Sequence, residues 1–208
     1  MSKPIDFSKA SIDRIETLTS EDAKWVKVEK IYFTDVEGKP RDWEFSSRQT
    51  RVEGSDVDGV GIIAILKKPT GPEILLQKQY RPPVEGVCIE MPAGLLDANE
   101  SIERCAEREL LEETGYIGIA VRSSPIMFND PGFCNTNLKL VTVAVDLADP
   151  RNQNPVPQLE DGEFIETFTV PLKSFPEELR HLASEGYKLD ARLQNVADGI
   201  ELAREYGL

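Results

Sequence analysis

The chain has 208 residues, 40% of them hydrophobic and 29% charged, a balance that fits a folded globular protein and excludes a disordered one. Its formal net charge of −13 is uneven: residues 1–90 carry 14 Lys and Arg against 16 Asp and Glu, while residues 91–208 carry 10 against 21. Binding of nucleic acid through bulk electrostatics is therefore not expected, and an anionic substrate needs a local positive field from metal ions or a few basic residues.

In chain order, residues 1–20 are polar with isolated apolar positions and predict an arm. Trp25 to Phe33 alternates with β-forming residues, Glu37-Gly38-Lys39-Pro40 predicts a turn, and Asp42 to Val52 alternates again, so a small N-terminal antiparallel hairpin or meander is expected. The runs Val60–Leu66 and Glu73–Tyr80 around Pro69-Thr70-Gly71-Pro72 predict buried central strands, ended by Pro82-Pro83. Asp58-Gly59-Val60-Gly61 reads as a turn rather than a phosphate loop, because a lone Gly pair lacks the rest of such a motif. Val87–Glu90, Ala120–Met127, Leu138–Asp146 and Glu163–Val170 predict further strands, with a polar, Pro-rich loop over 149–162. Two helices, about Pro176–Ser184 and Asp190–Tyr206, close the chain. This order favours an α/β fold, a mixed sheet packed between helices, rather than a doubly wound one. The expected division is an N-terminal β domain over 1–55 and a main domain over 56–208.

No apolar stretch is long enough to span a membrane, and MSKPIDFSKA has no apolar signal core, so no membrane association is expected. Three scattered cysteines, Cys88, Cys105 and Cys134, predict reduced thiols in the cytosol, or in cytosol and nucleus.

Between these strands, Gly94 to Tyr116 reads GLLDANESIERCAERELLEETGY. Small polar residues over Asn99–Ser101 predict a helix N-cap, and Gly115 its left-handed end. Glu109, Glu112 and Glu113 stand at i, i+3 and i+4, on the face that also carries Ile102, Cys105 and Ala106, so the acids should point into the body. Like charges repel one another there, and acids in a last turn oppose the helix dipole. A cation relieves both penalties, and clustered carboxylates suit Mg²⁺ or Mn²⁺. From the helix alone, a solvated charge run explains the pattern equally well.

The whole segment decides between them. It matches G-x5-E-x7-R-E-U-x-E-E-x-G-U, where U is aliphatic or aromatic, at Gly94, Glu100, Arg108, Glu109, Leu110, Glu112, Glu113, Gly115 and Tyr116. The sequence therefore resembles the Nudix hydrolases, which cleave nucleoside diphosphates linked to another moiety with divalent metal. The resemblance implies a Nudix-type mixed sheet between helices, with Glu109, Glu112, Glu113 and the Ala93 carbonyl as metal ligands. It also implies that Arg108 orients the glutamates and Glu100 braces the loop.

Pro131, 15 residues after Tyr116, and the segments around Trp25, Trp43, Arg81, Glu90 and Glu163 resemble the eukaryotic-type ADP-ribose and ADP-sugar pyrophosphatases. This subfamily resemblance implies a homodimer with exchanged N-terminal domains, whose Trp25 and Trp43, one from each subunit, sandwich the adenine of a nucleotide-sugar substrate. Arg48 and Arg81 are candidates for the diphosphate and terminal ribose, and Arg51 is a candidate as readily read as a surface residue. Glu163 is assigned as catalytic base or water-orienting residue, with Glu166 as the alternative. His181 lies away from every matched segment and predicts no histidine chemistry. Two alternatives stay open: a Nudix hydrolase of another nucleoside diphosphate derivative, and a non-catalytic module that binds ADP-ribose.

Overall fold

Runs rich in Val, Ile and aromatic residues form two sheets in the computed structural model, which describes residues 4–19 and 21–208. Residues 1–3 and 20 of the expected arm lie outside that range; the rest of the arm is a single 3₁₀ turn, Phe7–Lys9, and otherwise irregular chain. The first sheet is the hairpin β1 (Val26–Thr34) and β2 (Pro40–Arg48), paired antiparallel with Ile31 opposite Trp43. β2 ends at Arg48, short of the expected Val52, because the chain turns there toward the main body.

The second sheet has nine strands. Its two longest, β3 (Gly59–Lys68) and β4 (Gly71–Arg81), pair only near their shared turn, from Ile65–Ile74 to Lys68–Gly71. They then diverge. β5 (Gly86–Glu90) takes up the freed edge of β4, and β6 (Ala93–Leu95) the freed edge of β3. The helix α1 (Ile102–Thr114) follows, then β7 (Ile119–Ser123), β8 (Met127–Phe128) and β9 (Asn137–Val145). β9 runs parallel to β3 from Gly59–Leu138 to Leu66–Val145. The single strand expected over 120–127 is broken, because Pro125 between β7 and β8 has no N–H to donate. β10 (Ile165–Pro171) covers the far edge of β4; α2 (Phe175–Ser184), β11 (Lys188–Leu189) and α3 (Ala191–Tyr206) complete the chain.

Strand alternation sorts the core into two layers. Ile62, Ala64 and Leu66 of β3, with Leu75 and Val143, pack on Cys105, Ala106 and Leu110 of α1. Ile63 and Ile65, pointing the other way, join Ile74, Leu76 and Ile89 against Phe175 and Leu179 of α2 and Leu193 and Ala197 of α3. The sheet therefore lies between α1 and the α2–α3 pair, as the mixed-sheet expectation required.

One sequence reading changes here. Gly59 and Gly61 are not in a turn but inside β3. A Cβ on Gly59 would overlap the Gly94 carbonyl, and one on Gly61 would lie 2.9 Å from Leu140 Cδ2. These glycines let β6 and β9 approach, which brings the start of the acidic segment against the sheet.

Candidate metal and diphosphate site

Local chemistry sets both ends of α1. Ser101 caps it, its hydroxyl accepting from Arg104 N–H at 3.2 Å, and Gly115 at φ 75° ends it by donating to the Leu111 carbonyl. Cys105, Ala106 and Leu110 are buried, and the same face carries Glu113 and Glu109 inward, whereas Glu112, expected with them, has a side chain 37% exposed. Gly94 faces Glu109 so closely that any Cβ would overlap its carboxylate.

Glu113 is 6% exposed. Its Oε2 accepts from Ala93 N–H at 2.9 Å and its Oε1 from Gln77 Nε2 at 3.3 Å. Burial nonetheless pushes its carboxyl up to about 8, with Glu109 and Glu163 adding to the rise. Burial also raises Glu109, partly offset by Arg108. Arg108 gathers the rest of the box. Its Nε and Nη2 each donate to Glu100 at 2.9 Å, Nη1 donates to Glu109 at 2.8 Å and Glu112 at 2.9 Å, and Nη2 donates to the Leu95 carbonyl at 3.0 Å. Glu100, held below the usual carboxylate range by that guanidinium, also accepts from Asp97 N–H. The pair thus ties the loop to the helix.

A cleft of about 910 Å³ opens over this face. Of the predicted site residues, Arg48, Arg81, Ala93, Arg108, Glu109, Glu112, Glu113 and Glu163 line it, Arg48 from the end of β2 and Arg81 from the end of β4, where it is ion-paired to Glu90 at 2.8 Å. Glu163 sits in a tight turn, its carboxylate accepting from Glu160 N–H at 2.9 Å. Glu166 lies on β10 opposite Lys78 and is not in the cleft wall. Neither tryptophan lines the cleft. Trp25 is 70% and Trp43 53% exposed, and the Trp43 indole N–H donates to the Gly132 carbonyl, next to Pro131. Arg51 is not a free surface residue. It makes a two-pronged ion pair with the buried Asp58 at 2.8 and 2.9 Å and donates to the Asn135 carbonyl. His181 is on α2, exposed beside Glu185.

Several lining residues had no sequence signal: Gln79, Asn137, Glu160, Asp190 and Arg192. Asp190 and Arg192 pair with each other at the start of α3, which β11 fastens to β5. Only the fold brings that helix start to the cleft.

The donors fit a hard divalent cation: three carboxylates and the Ala93 carbonyl at the start of β6, with two of the acids burdened by burial and by neighbouring carboxylates. Among the described residues no three acids already converge as a metal cage. Arg108 Nη1, hydrogen-bonded to both Glu109 and Glu112, supplies the positive charge between them. Among the described residues, no helix is long and apolar enough to cross a membrane.

Residues 57–192 match the family model described as NUDIX domain. The chain belongs to the Nudix family. Among relatives of this Nudix chain, the ADP-ribose pyrophosphatase of Saccharomyces cerevisiae is 59% identical over 189 residues, covering 90% of this chain and 81% of that protein. The ADP-sugar pyrophosphatase of Mus musculus is 40% identical over 180 residues, covering 86% of this chain and 82% of that one. A crystal structure of an ADP compounds hydrolase matches with a TM-score of 0.59 at 19% identity, over 99% of this chain and 96% of that one, a likeness of fold alone.

Proposed function

We propose that this chain hydrolyses the diphosphate linkage of ADP-ribose, and of related ADP-sugars, to AMP and ribose 5-phosphate, with Mg²⁺ or Mn²⁺ as cofactor. The observation that carries this reading is the glutamate face of α1, turned into a cleft that also holds Arg48 and Arg81, in a chain so similar to the yeast and mouse pyrophosphatases.

Glu109, Glu112, Glu113 and the Ala93 carbonyl would hold the cation. When bound, it neutralises the diphosphate and activates water. The remaining work falls to the chain itself. Arg108, anchored by Glu100, keeps Glu109 and Glu112 apart and oriented. Arg48 and Arg81 supply positive charge for the diphosphate and terminal ribose in a protein that is otherwise strongly acidic. Glu163 takes a proton from the attacking water. Its place in the cleft wall supports it over Glu166, which faces Lys78 across the sheet.

The division near residue 55 and the exchange of hairpins between two copies belong to the same reading. β1 and β2 expose Val28, Tyr32 and Trp43, and a lone two-stranded hairpin is marginal without cover. A second copy provides the cover and completes the Trp25–Trp43 clamp on the adenine. The three free thiols suit a cytosolic, or cytosolic and nuclear, setting.

Phosphorus NMR of the purified protein with ADP-ribose and Mg²⁺ tests the reaction. AMP and ribose 5-phosphate should accumulate, and Glu112→Gln and Glu113→Gln should each slow the reaction by about a hundredfold or more. Calorimetric binding of ADP-ribose without turnover would overturn the reading, as would full activity in both variants.

A further inference from the structure

Gln77 occupies an unusual position for an amide. On β4 it follows Leu75, which is in the α1-side core, and precedes Gln79, which lines the cleft. By strand alternation all three project from the same face. Gln77 is 1% exposed. Its Nε2 donates to Glu113 Oε1 at 3.3 Å, while its Oε1 has no hydrogen-bond partner among the described residues. Turning the amide over would set its carbonyl oxygen against Glu113 Oε1, a pairing open only to a protonated carboxyl and not to the carboxylate that holds a cation. An apolar side chain of similar length would remove that unmet acceptor, but it would also take the donor away from the buried Glu113 Oε1.

We propose that Gln77 is a positioning residue for the divalent-cation site. Its Nε2, together with Ala93 N–H, gives each Glu113 oxygen one fixed donor, and its Oε1 serves a donor that arrives with the hydrated cation. This rests on the metal reading given above. Mg²⁺ and Mn²⁺ sites formed by a few carboxylates retain water, and the O–H groups of that water are the donors the buried carbonyl lacks. Groups that orient a metal ligand without touching the metal typically contribute tenfold to a hundredfold in affinity. The unmet acceptor is thus a cost in the metal-free fold that the loaded site recovers.

The test needs no turnover. Mn²⁺ binding to wild type, Gln77→Leu and Gln77→Met is followed by loss of the free-ion paramagnetic resonance signal, and the thermal midpoint of each protein is measured in chelator. Both variants should keep a metal-free midpoint close to that of wild type, since each removes one unmet acceptor and leaves another on Glu113, yet bind Mn²⁺ about tenfold or more weakly. Weakened binding beside a kept midpoint is the signature, since a packing defect would lower both. Mn²⁺ affinity within twofold of wild type in Gln77→Met overturns the proposal, and so does a joint fall of midpoint and affinity in both variants. If wild type itself takes up no Mn²⁺, the metal reading fails first and this inference with it.

Discussion

Glu113 carries the largest electrostatic burden of the glutamate face, and that burden is measurable. Its carboxyl stands at about 8 in the fold against an ordinary 4.5. Between those values the metal-free fold keeps a proton that the unfolded chain has released. Stability of the metal-free protein therefore decreases as pH rises from about 4.5 to about 8, by up to about 1.4 kcal/mol per unit. Glu109, raised by the same burial, adds to the slope. Thermal midpoints recorded in chelator should fall across this window. Glu113→Gln should flatten the fall, and so should saturating Mg²⁺ in wild type, because the cation holds the carboxylate ionised without penalty. An unchanged slope in Glu113→Gln would mean that the burial seen around this side chain is not what controls its proton.

At the scale of elements, the site depends on a junction between the hairpin and the main body. Ser46 of β2 bonds to Phe133 and Asn135 through the backbone, Trp43 donates to Gly132, and Arg51 joins Asp58 to the Asn135 carbonyl. Asn137 completes the junction by accepting from Asp58 N–H and donating to Asp56 and Asp58. The hairpin and the Pro131 loop are thus held as one unit. Arg51→Ala leaves the Asp58 carboxylate buried without its cation, which costs about 3 kcal/mol. It should also loosen the presentation of Trp43. Urea unfolding should record the loss of stability, and steady-state kinetics should give a raised KM for ADP-ribose with kcat little changed. An equal fall in kcat would place Arg51 in the chemistry instead. None of this was legible in the sequence, where Arg51 read as readily as a surface residue, since its third contact is 84 residues away. The glutamate face was legible because a helix sets its geometry locally: the spacing of Glu109, Glu112 and Glu113 is enough to put them together. Strands β3, β4 and β9 were legible by their apolar runs. Gly59 and Gly61 were misread because the reason for them is a neighbouring strand, the Gly94 carbonyl for one and the Leu140 side chain for the other, not their own conformation. Gln77 was missed for the same reason, its partner Glu113 lying 36 residues on. The strand over 120–127 was overextended because alternation continued through Pro125, which cannot join a ladder.

For the whole molecule, the exposed hairpin is the surface that needs a cover. Successive side chains of a strand point to opposite faces, and on β1 both faces are apolar and open: Val28 and Tyr32 on one, 76% and 80% exposed, and Ile31 and Phe33 on the other. A folded body behind it contributes one contact strip, along Ser46 and Trp43, and leaves the rest uncovered. A two-stranded sheet with two wet apolar faces is not stable by itself. The proposed exchange of hairpins in a homodimer would resolve this, and it would make the clamp a property of the dimer rather than of the chain. Sedimentation should therefore find wild type as a dimer at micromolar concentration. Val28→Asp combined with Tyr32→Asp should yield a monomer whose main body still binds Mn²⁺ like wild type, because the α1 face is built entirely within one chain. In that monomer the KM for ADP-ribose should rise by about tenfold or more, as the two tryptophans no longer meet. A wild-type monomer with full affinity for ADP-ribose would show instead that one chain grips the adenine alone, with Trp43 where it lies on Gly132.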